Sequence, residues 1–148
     1  MAEQRYFEDI DVGDEFTEEQ QPTREHVEQF FNISRLDGRP SRAEAGDGRF
    51  TSTESARELG LERPIVPGTM SMAMITRLVT DWMGPDGTLK AFSVRYRDMD
   101  VPGDTLTCTA TVVEKDDEAG TVRCEIALTN GAGKTTTTGD AVVALPQG

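Results

Sequence analysis

The apolar pattern of this chain changes period once, at Gly84-Pro85-Asp86-Gly87, and that change limits the fold more than any other feature. Before it, Met70, Met74, Ile75, Leu78, Val79 and Trp82 recur at three- and four-residue spacing, which predicts one helix over about 69–83. Met72 and Met83 widen the stripe, so this helix is expected to be buried over most of its circumference. After the change, apolar and polar residues alternate, the period of half-buried strands. Leu89, Ala91, Ser93 and Arg95 alternate with Lys90, Phe92, Val94 and Tyr96; Leu106, Cys108, Ala110 and Val112 alternate with threonines; Val122, Cys124, Ile126 and Leu128 form a third series. Ala141, Val143 and Leu145 share one face of a last strand. The spacers 115–120 and 130–134 read as hairpin turns. With Val112 opposite Val122, Ala110 faces Cys124 and Cys108 faces Ile126, leaving two buried thiols as same-face neighbours but not a direct pair. One long helix wrapped by a curved antiparallel sheet is an α+β architecture.

The earlier part of the chain is less regular. Residues 1–20 hold eight acids and only Arg5, and read as a solvated entry segment with a first strand over about 14–21. Thr23 reads as the N-cap of a helix reaching about 35, with Val27, Phe30, Phe31 and Ser34 on one stripe. Residues 36–50 have three Gly and one Pro without an apolar period, so they form a loop. Thr51 followed by Glu54 is a capping-box pattern for a short helix that Gly60 closes. No internal repeat or linker divides the chain, and residues 1–148 are expected to form a single domain.

Composition then narrows function. Fifteen Lys and Arg against twenty-seven Asp and Glu give a formal net charge of −12. That balance argues against a nucleic-acid partner, which needs clustered cations, and against docking on an anionic membrane. The most apolar region, 64–83, is interrupted by Arg77 and Asp81, so no membrane-spanning helix is expected. Two cysteines and one histidine are too few for a disulfide framework or a Cys/His metal site, and no apolar leader opens the chain. A reducing cytoplasm is the expected setting.

Three segments carry a resemblance. FEDIDVGDEF (7–16), RPIVPGTMSMAM (63–74) and FSVRYRDMDVPGDTLTCTATV (92–112) resemble, in order and spacing, the MaoC-like hot-dog family of (R)-specific enoyl-CoA hydratases and acyl dehydratases. The resemblance runs from about residue 7 to 145. It implies the hot-dog fold, a thioester of coenzyme A or an acyl carrier protein as ligand, hydro-lyase chemistry, no cofactor or metal, and a homodimer or a heterodimer with a hot-dog homologue.

In that family an Asp and a His in the loop after the first helix activate water. The His suits the work because its pKa lies near neutrality. The helix N-terminus holds the thioester carbonyl as it becomes enolate-like. Carried onto this chain, counting forward from Phe31 puts the Asp on Asp37 and the His on Arg42. Counting back from ERPIV (62–66) puts them on Ala45 and Phe50, and the local match GDGRFTS (46–52) puts them on Asp47 and Ser52. No register supplies a histidine, and the family's His-Gly before the long helix reads Pro67-Gly68. His26, the only histidine, reads as a partly exposed helical residue without a role. The resemblance thus implies Asp37 or Asp47 as base, Ser52 or Thr69 holding water, and Pro67, Gly68 and Thr69 at the carbonyl. Arg35, Arg39, Arg42, Arg49, Arg57 and Arg63 fall in 29 residues with six acids, a salt-bridged loop or a site for CoA phosphates. Arg42 and Arg95 are the arginines placed at the ligand. Two functions follow: a hydratase or dehydratase with a rebuilt site, or a non-catalytic subunit that pairs with a catalytic homologue.

Overall fold

The computed structural model describes residues 3–33, 48–50 and 52–148. Five strands form one antiparallel sheet: β1 (Glu15–Gln20), β2 (Thr88–Tyr96), β3 (Leu106–Asp116), β4 (Thr121–Thr129) and β5 (Thr135–Ala144), in the order β1-β3-β4-β5-β2. Three α-helices, α1 (Arg24–Ile33), α2 (Thr53–Glu58) and α3 (Gly68–Met83), precede β2 in the chain. The long helix begins at Gly68, one residue before the predicted start, and Gly84 ends it with φ +80°, a conformation glycine adopts without strain.

The core is the face that period 2 marks. Leu106, Cys108, Ala110 and Val112 of β3 and Val122, Cys124, Ile126 and Leu128 of β4 are buried against Ile75, Leu78 and Val79 of α3. Phe16 of β1 stacks on Trp82 with ring centroids 4.3 Å apart. Burying such side chains stabilises the fold by about 1.5–3 kcal/mol each before entropy is counted.

Four expectations are corrected. Val112 faces Cys124, not Val122, and Ala110 faces Ile126. A bulge between Val112 and Glu114 adds a residue to β3, and the turn closes on the pair Asp116–Thr121. The two cysteines remain on the buried face, but Cys108 sits opposite Leu128, four residues along from the Val112–Cys124 pair. Burial pushes the Cys108 thiol up to about 12 and the Cys124 thiol to about 11, so both stay protonated and packed.

Second, α3 is not buried round most of its circumference: Thr69, Met72, Ala73 and Arg77 are exposed in the single chain. Third, the entry segment is not simply solvated. Phe7 and Ile10 enter the core, and Lys115 donates to both of their carbonyls while its ammonium lies 4.3 Å from the Phe7 ring centroid. Fourth, His26 has a role. The Thr23 hydroxyl accepts the His26 N–H at 3.1 Å, and His26 Nδ1 accepts the Thr23 N–H at 3.1 Å, a capping box with imidazole in place of a carboxylate. The predicted end of this helix near 35 lies outside the described residues. So does Thr51, and Ser52 is the N-cap of α2, accepting the Ser55 N–H.

Candidate functional site

The start of α3 is where the fold concentrates unspent polar groups. Gly68 and Thr69 open the helix, so their N–H groups have no intrahelical acceptor. Pro67 caps them without a side-chain bond, and its carbonyl takes the N–H groups of Met70 and Ser71. The positive end of the helix dipole therefore faces whatever lies beside residues 67–69.

Three segments hold that helix start in place. The Ile65 N–H donates to the Arg49 carbonyl at 3.1 Å, tying the approach to the short 3-10 turn Gly48–Phe50. The Val66 N–H donates to the Asp100 carbonyl at 2.8 Å, tying it to the loop between β2 and β3. The Tyr96 hydroxyl donates to the Gly68 carbonyl at 2.7 Å. Gly68 permits this last contact, because a Cβ there would lie 3.0 Å from the Tyr96 ring. Partial desolvation raises the Tyr96 phenol above its ordinary value, which keeps it a donor.

Between these segments lies a cavity of about 300 Å³, lined by Phe50, Val66, Gly68, Ser71, Tyr96 and Asp100 among others. Its size is at the lower bound for small-ligand sites. Phe50 is anchored from behind by Phe31 of α1, at 5.4 Å between ring centroids.

Asp98, Asp100 and Asp104 share one short loop, yet their surroundings differ. Asp98 is exposed and takes a charge-assisted hydrogen bond from Lys134, which holds its carboxyl below the usual range. Asp104 accepts the N–H groups of Thr105 and Gly131 and fastens the β4–β5 turn. Asp100 is only 4% exposed. Its Oδ1 is the one buried side-chain oxygen or nitrogen among the described residues without a hydrogen-bond partner. Desolvation raises its pKa, opposed by a hydrogen bond with Thr136 and reinforced by the charges of Asp104 and Asp98.

A bulge in β5 creates this environment. Leu128 pairs with Thr137 and Thr129 with Thr135, leaving Thr136 as the extra residue. Its carbonyl accepts the N–H groups of Arg97 at 2.7 Å and Asp98 at 3.0 Å, which turns the chain after β2 back over the sheet.

Of the residues singled out in the sequence, the fold brings Pro67, Gly68 and Thr69 together at the helix start. Ser52 caps α2 and is not among the residues lining this cavity. Arg95 lines a larger hollow, about 460 Å³, with Ser93, Thr109, Thr138 and Asp140. It is not brought to the helix start. Asp37, Arg42 and Asp47 lie outside the described residues. Asp100 and Tyr96 were not singled out in the sequence, where Tyr96 entered only as part of a strand alternation. Among the described residues no group of three or more His, Cys, Asp or Glu could hold a metal, and no helix is long and apolar enough to cross a membrane.

Residues 51–132 match the family model described as "MaoC like domain". In structure the chain is similar to an (R)-hydratase from A. caviae involved in PHA biosynthesis, with TM-score 0.80 and 20% identity over 93% of this chain and 98% of that one. It is similar to the R-hydratase PhaJ1 from Pseudomonas aeruginosa, with TM-score 0.81 and 20% identity over 97% and 86% of the two chains. A chain of the ChsH1–ChsH2 complex from Mycobacterium tuberculosis matches with TM-score 0.74 and 18% identity over 90% and 97%. No curated protein matches the sequence.

Proposed function

Since the chain belongs to the MaoC-like dehydratase family and has its hot-dog fold, we propose that it binds an acyl thioester at the start of α3 and catalyses hydration or dehydration across the Cα–Cβ bond. The observation that carries this reading is the convergence on one cavity of Gly68, whose N–H opens the helix without an intrahelical acceptor, and a buried carboxyl. Addition of water to an enoyl thioester places negative charge on the carbonyl oxygen. Gly68 and Thr69 N–H groups stabilise that charge where it develops, as preorganised dipoles do. The ligand is a thioester of coenzyme A or of an acyl carrier protein. Arg42 is proposed to meet phosphate, and Asp37 and Asp47 are candidates for moving protons.

A second reading has its own support. Phe50, which takes the histidine position when counted back from 62–66, lines the cavity and cannot move a proton. One structural neighbour is a component of a two-protein complex. A subunit that completes the site of a hot-dog homologue fits both facts. Either assembly, homodimer or heterodimer, is proposed to form through β2, an edge strand of the five-stranded sheet.

The experiment is a calorimetric titration of the full chain with butyryl-CoA, beside an assay of crotonyl-CoA hydration by loss of enoyl-thioester absorbance. The parent is expected to bind. Gly68→Val, whose side chain displaces Tyr96 and covers the helix start, is expected to lose binding while its circular dichroism stays native. Absence of binding by the parent, or equal binding by Gly68→Val, overturns the assignment of this site. Binding without hydration by the chain alone favours the partner-subunit reading.

A further inference from the structure

A buried carboxyl oxygen without a partner is costly, because burial removes its water and nothing replaces it. Asp100 carries that cost at 4% exposure, with Oδ1 unpartnered. Nothing in the packing requires an acid there. The main chain does the structural work, through the Val66 N–H bond to the Asp100 carbonyl at 2.8 Å, and any side chain would allow it. What the side chain adds is a buried, unpartnered oxygen on a residue that lines the same cavity as Gly68, Ser71 and Tyr96. Its position is over-determined. Residues 97 and 98 hang from the Thr136 carbonyl, and the Thr136 hydroxyl hydrogen-bonds the carboxyl.

We infer that Asp100 is the residue that moves the proton in the hydration or dehydration of an enoyl thioester held at the start of α3. This inference rests on the function proposed above and names the group that does the work usually given to histidine. In the hydration direction the Asp100 carboxylate takes a proton from water as the water oxygen bonds to Cβ. The π electrons of the Cα–Cβ bond move toward the thioester carbonyl, whose oxygen becomes the enolate held by the Gly68 and Thr69 N–H groups. The enolate collapses, Cα takes the proton back from the Asp100 carboxyl, and the carboxylate is restored. One O–H bond and the Cα–Cβ π bond break, one C–O and one C–H bond form, and no co-reactant is consumed. The charged and titratable groups near the carboxyl are Asp98 and Asp104 on its own loop, Tyr96 at the end of β2, and Arg49 on the cavity wall. Burial strengthens its hold on a proton, the Thr136 hydrogen bond opposes that and the two neighbouring aspartates add to it, a direction that suits a carboxyl which must return the proton it accepts.

The test compares parent, Asp100→Asn and Asp100→Glu in the full chain. Two readouts are taken, butyryl-CoA affinity and kcat for crotonyl-CoA hydration. Asp100→Asn is expected to bind butyryl-CoA as the parent does and to lose kcat by about 10²-fold or more, the range for removal of a general acid–base group. Should the amide variant fail to fold, Asp100→Glu carries the test, because it keeps an ionisable group one methylene out of place and is expected to lower kcat more than affinity. A parent that binds and hydrates, with a carboxyl-free position 100 that hydrates equally well, overturns the assignment of Asp100 and leaves the proposed function standing. A parent that binds butyryl-CoA but does not hydrate crotonyl-CoA also overturns it. A parent that does not bind removes both.

Discussion

The sheet interior and the cavity at the start of α3 treat buried polar groups in opposite ways. Among the described residues of β3, β4 and β5, buried side-chain polar atoms have partners, as where the Thr136 hydroxyl donates to the Leu128 carbonyl. Beside α3, a residue with an unpartnered carboxyl oxygen and Gly68, whose N–H has no intrahelical acceptor, line one cavity. The difference teaches where to look for chemistry. A fold tolerates a local energetic fault when something other than stability depends on it, and here the fault is confined to one loop.

The contrast breaks most sharply if the two regions respond alike to substitution. Leu128→Ala, at a side chain 1% exposed, is expected to cost about 2–5 kcal/mol in urea denaturation without changing thioester affinity in the folded fraction. A smaller effect of the opposite sign is expected at the cavity, and it depends on pH. Asp100 holds its proton in the folded chain above the pH at which the unfolded chain, near the ordinary value of 3.8, releases it. Stability from this group is therefore fully present below about pH 3.8 and declines as pH rises toward the elevated folded value. Asp100→Asn should melt with the parent at low pH and above it at neutral pH. A variant that melts below the parent at pH 7 shows that the carboxylate is structurally satisfied there. Asp98, exposed and drawn down by Lys134, has the reverse sign, and solvent screening keeps its share small. The least effect concerns a region outside both. Thr23→Ala removes one half of the Thr23–His26 capping box and is expected to cost about 1 kcal/mol, read by thermal melting with butyryl-CoA binding unchanged.

Legibility in the sequence follows the same division. Period 2 marked the buried faces of β3 and β4 correctly because each strand has one side on the core, so Leu106 and Ile126 had to face in. The stripe from Met70 to Trp82 marked α3 for the same reason. Bulges were not visible. In β2 the extra residue near Lys90 puts Leu89 in phase with Phe92 and Val94, against the strict alternation read from the sequence. In β5 nothing in Thr135-Thr136-Thr137-Thr138 distinguishes the residue that bulges from those that pair. That bulge bends the chain after Tyr96 and buries Asp100, an acid that the apolar periods left unmarked. His26 was missed because capping boxes are sought with Glu or Gln, and imidazole Nδ1 accepts the same N–H. Pro67, Gly68 and Thr69 were put forward through the resemblance, and the family match and the hot-dog neighbours support that resemblance for the fold.

The free edge of β1 has a consequence for how far any sheet made from this chain can grow. In an assembly joined through β2, the outermost strands are two copies of β1, each bearing Glu15, Glu18 and Glu19 on a chain of net charge −12. Strand addition at such an edge brings carboxylates into register across a single hydrogen-bonded spacing, and their repulsion opposes it. The acidity that disfavours nucleic acid as a partner thus also acts as a stop, letting a sheet close at one edge without propagating from the other into a fibre.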